Sequence, residues 1–286
     1  MAPVALTMSG VLVLCATPIG NLEDVSARAL RVLRDADVVA CEDTRRTRKL
    51  LTHHGVHARE LVVYNDVNER RQAPALLERL ERGASIVLVS DAGTPGLSDP
   101  GYRLVRASID AGVAVEIVPG PNAAVAALAL SGLPPGRFVF EGFLPRKPGP
   151  RKRRIEELAG EQRTLVVYES PHRVEATLAD LLDGLGDRRA ALARELTKMH
   201  EEVRRGGLAE VLEGVRSAPP KGEIVLVIEG AVGSARPEVD PAVLAARARA
   251  LMDDGVPRPE ALSEVARAAG VARKKVFDAL LGEREG

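Results

Sequence analysis

The chain has 286 residues, of which 45% are hydrophobic, so it is long enough for two domains with sizeable cores. The chain has 40 basic residues (lysine and arginine) and 40 acidic ones (aspartate and glutamate), so its formal net charge is zero. A zero net charge attracts neither nucleic acid nor membranes, and a polyanion site must come from local clusters of basic residues. Two cysteines are too few to cross-link this chain, and no apolar stretch reaches the ~18 to 20 residues of a membrane span. These features predict a cytoplasmic protein with reduced thiols.

The first half of the chain alternates short β-branched runs with longer amphipathic ones, which is typical of parallel strands connected by helices. The strand-like runs are nearly continuously apolar, and this favours a sheet covered on both faces. The five runs are VLVLCA from Val11, DVVACED from Asp37, LVVYND from Leu61, ASIVLVSD from Ala84 and VAVEIVPG from Val113. We therefore predict an N-terminal α/β domain over residues 1–133.

A second alternation begins after the break at Pro134–Gly136. Its predicted strands are RFVFEGF, TLVVYES, RAALAREL and EIVLVIEG, with helices near Val174–Leu182 and Leu208–Val215. The basic segment LPRKPGPRKRR, rich in proline and glycine, is interpreted as a link between the two α/β halves. We predict a second α/β domain over residues 134–232, then a linker and C-terminal helical domain over 233–286, whose three short helices have the spacing of helix-turn-helix units.

Polar, glycine-rich loops follow four of the predicted strands. Ligands of open α/β sheets bind at the carboxyl ends of the strands, and glycines let the backbone approach a ligand closely. Each loop alone also suits an ordinary βα turn, but four at one edge favour a pocket. In LVSDAGTPGLSDPG, Asp91 can accept hydrogen bonds from an amine or a ribose hydroxyl, whereas Asp99–Pro100 is interpreted as a helix cap. The G-x-G-x-x-G and P-loop motifs are missing, so a bound nucleotide needs another loop architecture.

Eight segments occur in the order expected for one known family. They are VLCATPIGNLEDVSARAL, CEDTRRTRKLL, LVSDAGTPGLSDPGYRLV, VPGPNAAVAALALSGLP, FEGFLPRK, YESPHR, ARELTKMHEEV and KGEIVLVIEG. Together they resemble the ribosomal small-subunit RNA cytidine 2′-O-methyltransferases of the tetrapyrrole (corrin/porphyrin) methylase superfamily, over about residues 11–230. The resemblance implies two α/β domains of the tetrapyrrole methylase type, S-adenosylmethionine in the cleft between them, a homodimer, and small-subunit ribosomal RNA or the assembled subunit as substrate.

The resemblance also implies cofactor-binding residues in both halves of the chain. They are Asp91, Ala92, Thr94, Gly120, Asn122, Ala123, Tyr168 and Leu196. Asn122 departs from the family pattern, because relatives more often carry serine or threonine there. The change keeps a side chain that forms hydrogen bonds.

Methylation of a ribose hydroxyl requires alignment of the oxygen, methyl carbon and sulfur, and a general base adds roughly 10² to 10⁴ in rate. The main candidates for the base or another catalytic role are Glu42, Glu169, Glu195 and Lys198, with Asp43 and His172 beside them. Each has a structural alternative: Glu195 and Lys198 suit an ion pair three residues apart in a helix, and Glu42 can orient Arg45. Assays of the Glu169→Gln, Glu195→Gln and Lys198→Ala variants would separate these roles.

Basic residues are concentrated in two segments. Six lie in the link between the α/β halves with no acid among them, and others begin the last predicted helix. The predicted RNA contacts are Arg45, Arg146, Lys147, Arg151, Lys152, Arg153, Arg154, Arg173, Lys274 and Lys275. The alternative is a solvated basic face.

Two other functions remain open at this point: methylation of a small tetrapyrrole-like substrate, and a non-catalytic RNA-binding factor in ribosome assembly. His53, His54 and His57 lack partnering cysteines and are interpreted as a solvated loop, so no metal is predicted.

Overall fold

The computed structural model describes residues 10–231, 240–269, 271 and 273–282. By packing, the chain divides into two compact units, Met1–Ala231 and Val232–Gly286. The predicted boundary at residue 133 lies within the first unit, and the predicted three-domain division stays a prediction. Among the described residues, no helix is long and apolar enough to cross a membrane.

The first sheet has five parallel strands in the order β3-β2-β4-β1-β5, all at the positions predicted. Its strands are β1 (Val11–Cys15), β2 (Val38–Cys41), β3 (Leu61–Val63), β4 (Ser85–Val89) and β5 (Ala114–Val118), and its helices are α1 (Ala27–Asp35), α2 (Thr44–His53), α3 (Glu69–Glu81), α4 (Tyr102–Asp110) and α5 (Ala123–Ser131). Separate apolar clusters cover the two faces of the central strands. The strands are therefore apolar without alternation, and their carboxyl ends meet at one edge.

The second sheet is mixed, in the order β6-β7-β10-β8-β9, with only β6 and β7 parallel. Its strands are β6 (Phe138–Phe143), β7 (Thr164–Glu169), β8 (Arg189–Arg194), β9 (Glu202–Gly207) and β10 (Ile224–Ile228), and its helices are α6 (Pro148–Glu157), α7 (Val174–Leu185) and α8 (Leu208–Ser217). β9 was not predicted, because its sequence EVRRGG is polar. It forms at the edge of the sheet, where its ladder to β8 supplies the stabilisation.

Helix α5 joins the two sheets into one core. Its sequence AAVAALALS is apolar all round, a pattern expected of a helix buried on more than one side. Ala127 and Leu128 lie in one apolar cluster with Ala191 and Val227 of the second sheet. This packing brings the carboxyl edge of the first sheet next to β7 and β10.

Helix α6 corrects the interpretation of LPRKPGPRKRR as a link. Pro148 occupies the first turn, where a missing N–H costs nothing. Ile155 is fully buried in the core of the second sheet, and it anchors the helix there. The basic segment is therefore a helix with one buried face.

The second unit contains α9 (Pro241–Asp253), α10 (Arg258–Ala269) and α11 (Arg273–Gly282), as predicted for the C-terminal helical domain. Asp240 caps α9, since its side chain accepts the Ala242 N–H at 2.9 Å. Leu244, Leu262 and Val276, one from each helix, lie in a common apolar core.

Candidate active site

A cavity of about 420 Å³ lies at the carboxyl edge of the first sheet, bordered on its other side by the second sheet. The loop after β4, the turn before α5, the ends of β6 and β7 and the start of β10 form its walls. Its lining residues include Ile19, Arg46, Asp91, Ala92, Thr94, Asp99, Asn122, Ala123, Phe143, Tyr168, Glu169, Gly222 and Glu223.

Backbone pairing holds the loop after β4 in place. Thr17 and Gly93 exchange hydrogen bonds of 2.8 and 3.0 Å, and the Thr17 hydroxyl donates to the Ser90 carbonyl at 3.1 Å. Gly93 has φ +82°, a conformation that a side chain would strain. The Thr94 hydroxyl donates to the Pro121 carbonyl at 3.4 Å and connects the loop to the turn before α5. These contacts join the loop after β4 to the neighbouring loops of the cavity wall.

The carboxylates of Glu42 and Asp91 lock two neighbouring loops together. Glu42 Oε1 accepts the Asp91 N–H at 3.1 Å, and Asp91 Oδ1 accepts the Asp43 N–H at 3.0 Å. Burial raises the pKa of both Glu42 and Asp91, while Arg46, with its Nε 3.5 Å from Asp91 Oδ2, opposes the rise at Asp91. Glu42 does not line the cavity, so its geometry favours holding the loop over acting on a substrate.

Glu169 contributes its backbone to the wall, because its side chain is 0% exposed. Its carboxylate accepts the Thr177 hydroxyl at 2.6 Å and the Ser170 N–H at 2.8 Å, and it lies 3.4 Å from Arg173 Nη2. Arg173 also donates to the carbonyls of Leu144 and Pro145. These contacts tie Arg173 to the protein interior, which argues against its predicted role in gripping phosphate.

Lys198 and Glu195 pair as expected, but in a turn with positive φ at Glu195 instead of a helix. Lys198 Nζ lies 2.8 Å from Glu195 and 3.0 Å from Glu223. Burial lowers the pKa of Lys198, but the hydrogen bonds to the two glutamates outweigh it and the pKa is raised. Lys198 is therefore a cation at neutral pH, and it lines a second cavity of about 240 Å³ that shares Arg46 and Asp91 with the first.

Two aromatic rings support Tyr168, which lies near the end of β7. The ring centroids of Phe140 and Phe143 lie 5.0 and 5.6 Å from that of Tyr168. Burial raises the pKa of the Tyr168 phenol, and the negative charges of Asp99 and Glu223 add to the rise. The ring thus forms an apolar wall whose phenol lies within the field of Asp99.

The structure brings together most of the predicted cofactor-binding residues. The cavity is lined by Asp91, Ala92, Thr94, Asn122, Ala123 and Tyr168. Gly120 is not in the lining; a Cβ there would lie 3.0 Å from the Ala16 Cβ, so close packing explains the glycine. Leu196 is buried in the apolar core around α5 and is not in the lining.

The interpretation of Asp99 as a helix cap is wrong. The N-cap of α4 is Gly101, and no side chain caps this helix. Asp99 is half-buried in the cavity wall, and burial followed by repulsion from Glu42 raises its pKa to about 7. The sequence did not indicate Asp99 as a cavity residue, because it is far from the end of β4 along the chain. It reaches the cavity because the intervening loop folds back over the strand ends.

The predicted RNA-binding cations fall into three groups. Arg151 is only 5% exposed and pairs with Asp180 at 2.7 Å, so the structure removes it from the set. Lys152 pairs with Asp180 and Asp183, and Arg154 pairs with Glu141 and Glu157, which are all acids outside the segment LPRKPGPRKRR. Others are exposed: Arg45, which pairs with Asp43, and Arg146, Lys147, Arg153, Lys274 and Lys275, for which the described structure has no ion pair.

The sequence model of the tetrapyrrole (corrin/porphyrin) methylase family matches residues 11–212 of the chain. Two curated proteins called ribosomal RNA small subunit methyltransferase I are similar to the chain: that of Halalkalibacterium halodurans is 45% identical over 275 residues, 94% of each chain, and that of Mycobacterium bovis is 46% identical over 279 residues, 96% of each. The solved uroporphyrin-III C-methyltransferase of Thermus thermophilus has a TM-score of 0.53 at 25% identity, covering 78% of this chain and 96% of its own.

The two sheets around one cavity, together with this match, define the class of protein. The chain belongs to the tetrapyrrole (corrin/porphyrin) methylase family. Within that family it is similar, over nearly its whole length, to the methyltransferases I of the small ribosomal subunit. The predicted family and fold class are confirmed.

Proposed function

We propose that the protein is an S-adenosylmethionine-dependent methyltransferase that modifies the 2′-hydroxyl of a cytidine in small-subunit ribosomal RNA, in the cytoplasm. The observation that carries the proposal is the cavity that gathers Asp91, Thr94, Asn122 and Tyr168 from both sheets. The names of the relatives, with identities near 45%, support ribosomal RNA as the substrate class.

The cavity suits the cofactor in size and in chemistry. A volume near 420 Å³ is within the range of small-molecule sites, which are about 300 to 1,000 Å³. Asp91 offers an acceptor for an ammonium or a ribose hydroxyl, Thr94 and Asn122 offer hydroxyl and amide groups, and Tyr168 offers an aromatic face. When bound, S-adenosylmethionine supplies a methyl group on a sulfonium sulfur, which is an excellent leaving group.

Cofactor binding has a direct test in calorimetry. Thr94→Val removes the hydroxyl that connects two walls of the cavity, and we expect cofactor affinity to fall about tenfold, as for loss of about one hydrogen bond. Thr52→Val, at an exposed position on α2, is the matched control and should bind like the wild type. Equal affinity in both variants would count against this cavity as the cofactor site.

Exposed cations supply the proposed RNA surface of the first unit. Arg146 and Lys147 follow the cavity residue Phe143 within four residues, and Arg153 lies further along the chain, within α6. Replacing all three with alanine should weaken RNA binding. It should also reduce the slope of log binding constant against log salt concentration by about 2 to 3. Arg216→Ala, which removes an exposed arginine paired with Glu175, is the control. An unchanged slope would assign these cations to a solvated face.

The second unit is proposed as an additional RNA contact through Lys274 and Lys275, both exposed on α11. A chain ending before Pro241 should bind RNA more weakly and bind the cofactor normally. Unchanged RNA affinity would assign the helical unit to another role.

We also propose a homodimer. The edge strand β5 exposes Ile117, and α5 exposes Val125 and Leu130, although the strands of parallel sheets are normally covered on both faces. Light scattering on the purified protein should give twice the mass of the chain. A monomeric mass would contradict the proposal.

Methylation of a small tetrapyrrole-like molecule is the second candidate, since the family is named for such substrates. The exposed cations beside the cavity favour a polyanion instead. Methyl transfer to a tetrapyrrole with no transfer to small subunits would reverse this choice.

A further inference from the structure

Four acidic residues line the cavity of about 420 Å³: Asp91, Asp99 and Glu223, and Glu169 through its backbone. In the described structure, three of them have a cationic partner, namely Arg46 for Asp91, Arg173 for Glu169 and Lys198 for Glu223. Asp99 lines the cavity with no ion pair in that same part of the chain. It is therefore the carboxylate whose oxygens are least committed to the protein.

The surroundings of Asp99 are mostly acidic. Repulsion comes from Glu42 after β2, Asp66 after β3 and Asp91 after β4, whereas the nearby Ser90 side chain offsets part of the rise in the pKa of Asp99. From the second sheet, Asp99 faces the phenol of Tyr168, whose pKa it raises. Tyr168 belongs to the proposed cofactor site, and Asp99 lines the same cavity.

The loop that carries Asp99 is fixed against both sheets. Ser98 has φ +62°, a rare conformation for a residue other than glycine, and Gly142 sits at an irregularity in the pairing of β6 with β7. A Cβ on Gly142 would lie 2.7 Å from the Ser98 Oγ. On the other side, a Cβ on Gly101 would lie 3.0 Å from Leu88 Cδ2. The absence of side chains at these two glycines lets the loop sit close to β4 and β6 and hold the carboxylate over the cavity.

We propose that Asp99 is the catalytic residue that accepts the proton of the ribose hydroxyl during methyl transfer. This inference rests on the proposed function. The ribose oxygen forms a bond to the methyl carbon while the carbon–sulfur bond breaks and its electron pair stays on sulfur. The hydroxyl proton passes to the Asp99 carboxylate, which later releases it to water.

The protonation behaviour of Asp99 suits this role. Burial and the neighbouring acids raise its pKa to about 7, so at neutral pH a large share of the molecules carries the carboxylate and its basicity is much higher than that of an ordinary aspartate. Glu42 and Asp91 also have raised pKa values, but their oxygens accept backbone N–H groups of the adjacent loops. The transfer rate should rise with pH and level off above about 7.

The test compares Asp99→Asn with Asp66→Asn, which removes the same charge from an exposed position. Methyl transfer to unmodified small subunits is measured against pH, cofactor affinity by calorimetry, and folding by circular dichroism. For Asp99→Asn we expect kcat to fall about 10² to 10⁴ fold at unchanged cofactor Kd. Asp66→Asn should keep its turnover and shift the midpoint of the pH profile downward, because a repelling charge is lost.

Carboxyl ¹³C NMR of the free protein gives a readout that does not depend on turnover. A resonance that titrates near pH 7 in the wild type and is missing from Asp99→Asn supports the proposal, whereas titration below pH 5 would overturn it. A wild-type kcat in Asp99→Asn would also overturn it, as would a loss confined to cofactor affinity. A wild-type protein that leaves the ribose unmethylated would instead refute the proposed function itself.

Discussion

Replacing Glu169 by glutamine separates a structural role from a catalytic one. The carboxylate is buried at the end of β7 and accepts the Thr177 hydroxyl and the Ser170 N–H while it faces Arg173. Glutamine keeps one acceptor oxygen and loses the charge. Hydrogen bonds to a charged group contribute about 1.5 to 3 kcal/mol, and Arg173 keeps only carbonyl partners, so we expect a loss of about 2 to 3 kcal/mol.

Thermal unfolding followed by circular dichroism measures this loss. For a unit of this size, each 1 kcal/mol lost from the free energy of unfolding lowers the Tm by about 2 to 4 °C. The expected decrease in the Tm of Glu169→Gln is therefore roughly 4 to 12 °C. Glu175→Gln is the matched control, because that side chain is exposed and its pair with Arg216 contributes about 1 kcal/mol at most. An unchanged Tm together with a hundredfold loss of methyl transfer would contradict a structural role and place Glu169 in the chemistry.

Three further changes have expected outcomes. In Gly222→Ala, at φ +85°, the new Cβ would overlap Glu195 Oε1, so the Tm should fall and the Lys198 pair should break; a wild-type Tm would contradict this. Arg151→Met should lower stability by about 3 kcal/mol in denaturant titrations while Arg153→Met leaves it unchanged, because only Arg151 is buried and paired; equal effects would refute the assignment. The pKa of Asp99 is about 7 in the folded state and about 4 in the unfolded state, so the free energy of unfolding should fall as the pH rises from about 4 to 7. The expected fall is about 1 to 2 kcal/mol after solvent screening, and Asp99→Asn should remove most of it.

Much of the fold follows from local patterns in the sequence. The strands of the first sheet are short apolar runs between polar turns, and their burial on both faces explains why such runs predict them. The strand β9 escaped prediction because EVRRGG has neither an apolar run nor alternation. The helix α6 escaped prediction because its prolines and glycine lie in its first turn, where they are tolerated.

The site was predictable where loops directly follow strands and less so elsewhere. Asp91 and Asn122 lie just past the ends of β4 and β5. They were predicted because ligands of open α/β sheets bind at the carboxyl ends of the strands. Asp99 reaches the cavity through a loop that folds back, and Glu223 reaches it from the start of an antiparallel strand. The partners of Arg151 and Arg154 on other elements were also invisible in the sequence, because ion pairs across a fold depend on packing.

Mapping of the methylated product tests the central claim most directly. The purified protein is incubated with methyl-labelled S-adenosylmethionine and small subunits that lack the modification, and the RNA is then digested and analysed by mass spectrometry. We expect a single labelled cytidine whose methyl group is on the ribose 2′-oxygen and whose 3′ linkage resists alkali. Label on a base would contradict this expectation. Unlabelled RNA would also contradict it, if the same protein sample binds both the cofactor and the RNA.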